Sequence, residues 1–448
     1  MEWMLFLAFV VATGSIGFGA VAFEGAQASV RTRARRRAAD RCGITDVAMG
    51  HGGTVSGRHG ALRVSLETVD SERSVLRVVV AGLVEGVEIT SSAARAATGP
   101  HDVAIGDPSL DGPLVLCGPP ATVRALFTAD VRVRMRRMLA LGGAVHVRGG
   151  ALVAELRGGM THDASLAARI QVLLEAAQGL APGTSDESRL AEIARRDPIE
   201  DVRAKALESL ATEAAGHALT RPALRDATRD ASHAIRLQAA TALGDEGREV
   251  LYALASDPAV ADAIAVGAVE ALGSHLTLPR AQPLLEAAAA DLRVPLARAL
   301  LRWMGRGDAA EAGVVASLLA RRLGRDSSAM SAKGGEIAVA AVEALAETGV
   351  PAAEGPLIEA LRSGVPGVPP AAARGLGRVG TARAVPPLRD AEERGGETRR
   401  AAREAIALVQ SRLTGATPGQ VSLAAGEAGQ VSVAGAMDGR VSLGTDEP

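Results

Sequence analysis

Few residues in this chain are placed for chemistry. Asp107 and Asp111, in Gly106-Asp107-Pro108-Ser109-Leu110-Asp111, are the nearest approach to the paired carboxylates that general acid–base work needs. Asp before Pro and Asp before Gly are also what tight turns select, and turn chemistry is the preferred reading. Within the C-terminal half only His217, His233 and His275 occur, at no metal-ligand spacing. Cys42 and Cys117 are the only cysteines. Two cysteines form neither a zinc site nor a disulfide framework; they fit a reducing compartment, and a single bridge between them stays open. No P-loop, dinucleotide fingerprint or Gly-x-Ser-x-Gly elbow is present. The sequence therefore assigns no catalytic, cofactor-binding or metal-binding residue and no cofactor, and the chain is expected not to be an enzyme.

The elements that remain must do something other than catalysis. From Ser188 to Leu413 one apolar position returns near the end of successive helices: Leu210, Leu243, Leu272, Met304, Leu345, Leu376 and Ile406. The steps are close to 30 residues, except for 41 from Met304 to Leu345. That period with helical patterning predicts a solenoid of two-helix units. In Asp197-Pro198-Ile199-Glu200-Asp201-Val202, Asp-Pro opens a second helix, and Val202, Ala206 and Leu210 then form one stripe. Aromatic residues are only 2% of 448, so the core must be built from Ala, Leu and Val, which suits closely packed helices. Of 49 basic residues only Lys205 and Lys333 are lysines, read as base bias towards a GC-rich bacterium.

Residues 1–24 are expected to form a transmembrane helix, and Ala26-Gln27-Ala28 keeps a cleaved signal peptide open as the alternative. Trp3 to Phe23 carry no charge, and 21 residues at 1.5 Å reach about 31 Å, enough for a hydrocarbon core. Arg31, Arg33, Arg35, Arg36, Arg37 and Arg41 follow in a basic juxtamembrane segment, 25–44. The positive-inside rule then places the N-terminus outside and the rest in the cytoplasm, as a single-pass protein of a bacterial inner membrane. Ala8/Ala12 and Ser15/Gly19 give small-xxx-small spacing that could form a homodimer through the anchor.

Residues 45–160 read as a small α+β domain. Strands are expected over Leu62–Glu67, Ser74–Leu83, Val87–Thr90, Asp102–Ile105 and Pro113–Cys117. A helix is expected over Thr122–Leu141, then a hairpin across Arg148–Ala151. Arg124, Arg132, Arg134, Arg136 and Arg137 are read as a solvated basic face near the membrane. From Val103 to Gly158, through the Gly106–Asp111 turn, the segment resembles a domain of unknown function from membrane-anchored bacterial proteins; that resemblance implies no activity. A helix and linker fill 161–185, and the repeats fill 186–413. A low-complexity tail, 414–448, repeats every ten residues at Gln420-Val421-Ser422-Leu423, Gln430-Val431-Ser432-Val433 and Arg440-Val441-Ser442-Leu443. It reads as a disordered duplication or as strands for a partner's sheet edge.

The run Gly375 to Leu388, a Leu-Gly-x-x-Gly-x-x-x-Ala-x-Pro-x-Leu junction, resembles HEAT-like repeats of the short kind first noted in phycobilisome lyases. The fold class expected is mainly α: a solenoid of about seven HEAT-like helix pairs, preceded by a transmembrane helix and the α+β domain. The resemblance implies an interaction surface. The function expected is a membrane-anchored HEAT-repeat scaffold for protein–protein contacts, with unknown protein partners on the solenoid and no nucleic acid, because net charge is −2 and rings for base stacking are scarce. The alternative is a lyase-like or cofactor-handling accessory enzyme on the same array. Arg325–Gly335 and Gly364–Pro370 interrupt the period and are the first places to seek a binding surface.

Overall fold

A computed structural model describes residues 29–433, apart from 51–53, 70–72, 84–85, 93–101, 158–161, 182, 325–330, 413–420 and 424–430. The described chain forms two compact units, divided after Leu243.

The first unit is built on an eight-stranded sheet. Its strands are β1 Thr45–Met49, β2 Val55–His59, β3 Leu62–Thr68, β4 Arg73–Val79, β5 Glu88–Ser91, β6 Leu114–Cys117, β7 Val145–Arg148 and β8 Ala151–Arg157. The order is β1-β2-β3-β4-β8-β7-β5-β6 and every pairing is antiparallel. Helix α1, over 29–41, and α5, Asp163–Leu180, cover one face. Alternate strand residues Val64, Leu66, Leu76, Val78, Leu152 and Ala154 are buried there. The expected strand at 102–105 is instead a loop that ties off the β6 edge: Val103 N–H donates to Leu116 O, and Leu116 N–H donates to the Asp102 carboxylate at 3.0 Å. The expected single helix over 122–141 is two, α3 Pro120–Leu126 and α4 Ala129–Leu139, broken where Thr128 caps α4. Ser-Leu-Asp after Pro108 adds a short turn of helix, α2 Pro108–Asp111.

The expectation of an N-terminal membrane-spanning helix is corrected. Among the described residues no helix is long and apolar enough to cross a membrane. Residues 3–23, with the spacing read as an anchor dimer, lie outside the described residues. Two of the six arginines that oriented that anchor, Arg35 and Arg41, make contacts within the folded unit. Ala34, Ala38 and Ala39 bury one stripe of α1 on the sheet, Arg35 is 2% exposed with Nη2 donating to Ser74 Oγ at 3.0 Å, and Arg41 pairs with Asp163 at 3.2 Å. The inner-membrane placement falls with the anchor, and the fold class becomes an antiparallel sheet unit joined to helical repeats.

Two helix pairs complete the first unit: α6 Asp186–Arg196 with α7 Glu200–Thr212, and α8 Thr220–Ala227 with α9 His233–Leu243. The sheet and these helices are welded by a buried ion cluster. Arg132 of α4, 2% exposed, grips both Asp197 oxygens at 2.8 Å and donates to Phe127 O. Its Nε lies 2.9 Å from Asp107, as an ionic contact without hydrogen-bond geometry. Arg136 reaches the same Asp107 oxygen at 2.9 Å. Asp107 also caps α2 through Ser109 N–H, while Asp111 accepts from Ile105 and Gly106 N–H. Gly106 adopts φ 87° there, and a Cβ on it would stand 2.6 Å from the Asp201 carbonyl, so the turn lies directly against α7. Arg124 fixes the other end, donating to Lys205 O and to Ser209 Oγ. The basic run read as a solvated face is therefore largely the joint, and Ala125 of α3 lies in the core of the first repeats.

The second unit holds five more pairs: α10 Arg248–Ser256 with α11 Asp262–Leu272, α12 Leu278–Ala290 with α13 Val294–Met304, α14 Ala309–Leu323 with α15 Ala332–Thr348, α16 Glu354–Leu361 with α17 Val368–Val379, and α18 Val385–Glu393 with α19 Gly396–Arg412. Second helices stack on one another through small residues; a Cβ on Gly375 of α17 would sit 2.9 Å from that of Ala346 on α15. Arginines stitch successive pairs at a constant offset of 33 residues. Arg293 donates to Val260 O, Arg322 to Ala289 O and Arg394 to Leu361 O. Arg412 likewise reaches Gly377 O and Gly380 O at the end of α17. A helix end leaves up to four carbonyls unpaired and carries partial negative charge, so a guanidinium from the next pair supplies both donors and countercharge. In the tail, β9 Val421–Leu423 pairs antiparallel with β10 Val431–Val433, so two of the ten-residue copies bind each other; the third lies outside the described residues.

Burial alone would raise the Asp107 carboxyl, but hydrogen bonds from Ser109 and the charges of Arg136 and Arg132 hold it below its ordinary value. Stability from a depressed carboxyl is complete above the unfolded pKa, about 3.9, and is lost as pH falls through the lower folded value. Unfolding followed by circular dichroism should therefore show an acid limb below about pH 4 that Asp107→Asn flattens. At neutral pH, Arg132→Met should cost about 3–5 kcal/mol, because two buried carboxylates lose their partner. Arg137→Met, at a 64% exposed side chain, should stay within about 1 kcal/mol. Equal losses in the two variants would contradict the joint.

Candidate docking face of the second helices

The second helices α13, α15 and α17 of the C-terminal unit bury most of their residues and expose a narrow charged stripe. On α13 that stripe holds Arg298 and Arg302, on α15 Glu336, Glu343 and Glu347, and on α17 Arg374 and Arg378. Glu270 stands on α11 and Glu397 on α19. Spacing of four places two charges of a stripe on one helix face. From α11 to α17 the sign changes from helix to helix, acidic, basic, acidic, basic, while α19 is mixed, with exposed Glu397 and Glu404 beside exposed Arg399, Arg400 and Arg403.

Neighbouring stripes touch across the helix boundaries. Arg302 lies 3.9 Å from Glu270, Arg298 lies 3.8 Å from Glu336, and Arg374 lies 2.9 Å from Glu397. The first two are long contacts between side chains about half exposed or more. Pairs of that kind contribute at most about 1 kcal/mol. Between α13 and α15 the stripes part around a cavity of about 190 Å³, walled by Arg298 and Arg302 on one side and Glu343 and Glu347 on the other. Its floor is Ala340 and Ala344, so the groove is shallow and polar at its rims. Chemically it offers two guanidiniums and two carboxylates at fixed positions over alanine, an arrangement for recognising a charged surface.

The residues singled out from sequence go elsewhere. Asp107 and Asp111 are turn-makers, and Asp107 is committed to the buried joint. His217 accepts from Leu219 N–H through Nδ1, and His275 lies 3.3 Å from Arg248. Cys42 and Cys117 are free thiols; burial raises both. Among the described residues no group of three or more His, Cys, Asp or Glu side chains is close enough to hold a metal ion. Trp303 donates from Nε1 to Gly273 O at 2.8 Å and so stitches α13 to the end of α11.

Of the two interruptions, one lies mostly outside the described residues and the other is partly buried. Residues 325–330 lie outside the described residues, and Ser331 already caps α15. At the other, Val365, Val368, Pro369 and Pro370 are buried, and Gly367 at φ 84° turns the chain into α17. The docking stripes were visible in principle. Arg302, Glu343 and Arg374 each stand two residues before the recurring apolar position (Met304, Leu345 and Leu376), and aligning the polar positions as well as the apolar ones exposes them.

A family model for HEAT repeats matches residues 328–407, the stretch that holds α15 to α19, and the helix pairs there are HEAT-like repeats. Among solved structures, that of human deoxyhypusine hydroxylase in complex with glycerol is similar at 15% identity, over 51% of this chain and 96% of that one, with a TM-score of 0.21. A likeness at that level says nothing about activity. No curated protein matches the chain.

Contact strengths predict how the stripes respond to substitution. Arg298→Ala with Arg302→Ala should shift unfolding by no more than about 1 kcal/mol, because the pairs are long and exposed. Arg293→Ala should cost about 2–3 kcal/mol, since its 13% exposed side chain binds Asp262 at 2.7 Å and two carbonyls of the preceding turn. Urea titrations of the two variants side by side check the difference; a large loss in the first would make the stripes structural.

Proposed function

We propose that this chain is a HEAT-repeat scaffold that docks partner proteins on the second-helix face of its C-terminal unit, centred on the α13–α15 groove, and that it is not an enzyme. The single observation that carries the reading is the alternation of charged stripes whose mutual pairing is too weak to explain them by folding. Solenoids of this type bury their apolar positions between repeats and present an extended polar surface for partners. Charge placed in alternating columns sets register and rejects mismatched partners more than it adds affinity. A partner helix with acidic residues opposite Arg298 and Arg302, and basic residues opposite Glu343 and Glu347, fits the groove. Nucleic acid is disfavoured because the basic stripes of α13 and α17 both border the acidic stripe of α15, against which a phosphate backbone would be repelled.

Crosslinking in native extract, followed by mass spectrometry, tests the proposal with a paired control. Arg298→Glu with Arg302→Glu should remove specific partners that the unchanged protein captures. Arg383→Glu with Arg389→Glu, exposed residues away from the stripes, should keep them. Identical capture by both variants would overturn the assignment, and a chromophore or stoichiometric metal in the purified protein would overturn the non-enzymatic part.

A further inference from the structure

Among the described residues, the antiparallel sheet of the first unit carries helices on one face and leaves the other open. Along β3, Leu62, Val64 and Leu66 point into the core, while Arg63, Ser65 and Glu67 point out. Pairing register then decides which outward residues become neighbours. Arg58 of β2 stands directly opposite Arg63 of β3, and Arg63 opposite Val79 of β4. One row along, Ser56, Ser65 and Arg77 fall in line.

Arg58, Arg63 and Arg77 are all exposed, and among the described residues none of their side chains makes a hydrogen bond or an ion pair. Elsewhere on this sheet the basic residues are answered: Arg148 pairs with Glu88 at 3.0 Å, and Arg73 has a partner. Directly opposed like charges cost a sheet stability. Open antiparallel faces are ordinarily polar, but with signs interspersed. Here three unanswered guanidiniums lie within about two strand widths, roughly 10 Å, close enough to act on one ligand at physiological salt.

Val79 is 37% exposed beside Arg63, and Val75 and Val153 are half-buried on the same face. The patch is therefore basic with an aliphatic border. Arginine's planar fork matches a carboxylate in two parallel bonds. On this face the ring of His146 on β7 stands opposite Val153, but exposed Glu67 on β3 and half-buried Glu155 on β8 interrupt any continuous track for a phosphate backbone.

We infer that the open face of the sheet, through Arg58, Arg63 and Arg77, is a second docking surface that takes an acidic segment of a partner protein, carboxylates interleaved with aliphatic side chains. It is independent of the helical groove and stands or falls separately from it.

Fluorescence anisotropy of the full chain tests this with three labelled probes: a ten-residue peptide alternating Glu with Val and Ser, its Lys-for-Glu counterpart, and a single-stranded RNA twelvemer. The Glu peptide should bind, weaken steadily with added salt, and lose at least tenfold in affinity in the Arg58→Ser/Arg63→Ser/Arg77→Ser variant. It should bind the Arg298→Glu/Arg302→Glu variant as it binds the unchanged protein, which separates this surface from the groove. The Lys peptide and the RNA should not bind. Should the triple variant fold poorly by circular dichroism, Arg77→Ser alone should still lose about threefold. Absence of Glu-peptide binding, unchanged affinity in these variants, or RNA binding as tight as the peptide would overturn the inference.

Discussion

The second unit depends on one repeated contact, a guanidinium that reaches back into the preceding helix pair and takes a carbonyl at a helix end. Arg322 and Arg394 do so at the same sequence offset, Arg293 does so at Asp257 while also taking Val260 O in the following turn, and Trp303 and Arg412 do the same work at the ends of second helices. With few aromatic side chains, the pairs must approach closely through Ala, Gly and Leu. Close approach leaves helix ends shielded from water, so their orphan carbonyls need protein donors. Arginine meets that need with several donors on one plane, where lysine offers a single point charge. The first unit uses the same residue in a heavier role. Arg132 closes two carboxylates from different parts of the chain, one from the Gly106–Asp111 turn and one from the Asp-Pro that opens a repeat helix.

These contacts sort the arginines by what they do. Those with low exposure and several partners hold the fold. Those of α13 and α17 are exposed, and the pairs of α13 are long. The arginines of the open sheet face have no partner at all among the described residues. The arginines thus run from buried and fully bonded to exposed and unpaired, and only the first kind is accounted for by folding.

Much of the array was legible in the sequence. Leu210, Leu243, Leu272, Met304, Leu345 and Leu376 are buried near the ends of second helices, because a stripe that recurs with the unit must face the same core each time. Ile406 is only half-buried, since α19 has no further pair among the described residues to cover it. Less of the sheet was legible. β1 is an edge strand, exposed nearly throughout, and it lacks the alternation that announces a strand. Helix α1 was hidden by its arginines, which read as neighbours of lipid headgroups although Ala34, Ala38 and Cys42 already traced a buried helical stripe. Arg132 carried no sequence mark of burial; its partners, Asp107 and Asp197, are brought to it only by tertiary structure. The charged stripes escaped for a simpler reason, that a search for repeats follows apolar positions and passes over the polar ones between them.

Hydrogen–deuterium exchange of the full chain, alone and saturated with a captured partner, tests the docking face most directly. The account predicts slowed exchange in α13 and α15 on binding, with the first helices α12 and α14 unchanged. Protection confined to the first helices, with α13 and α15 exchanging as in the free protein, would contradict it.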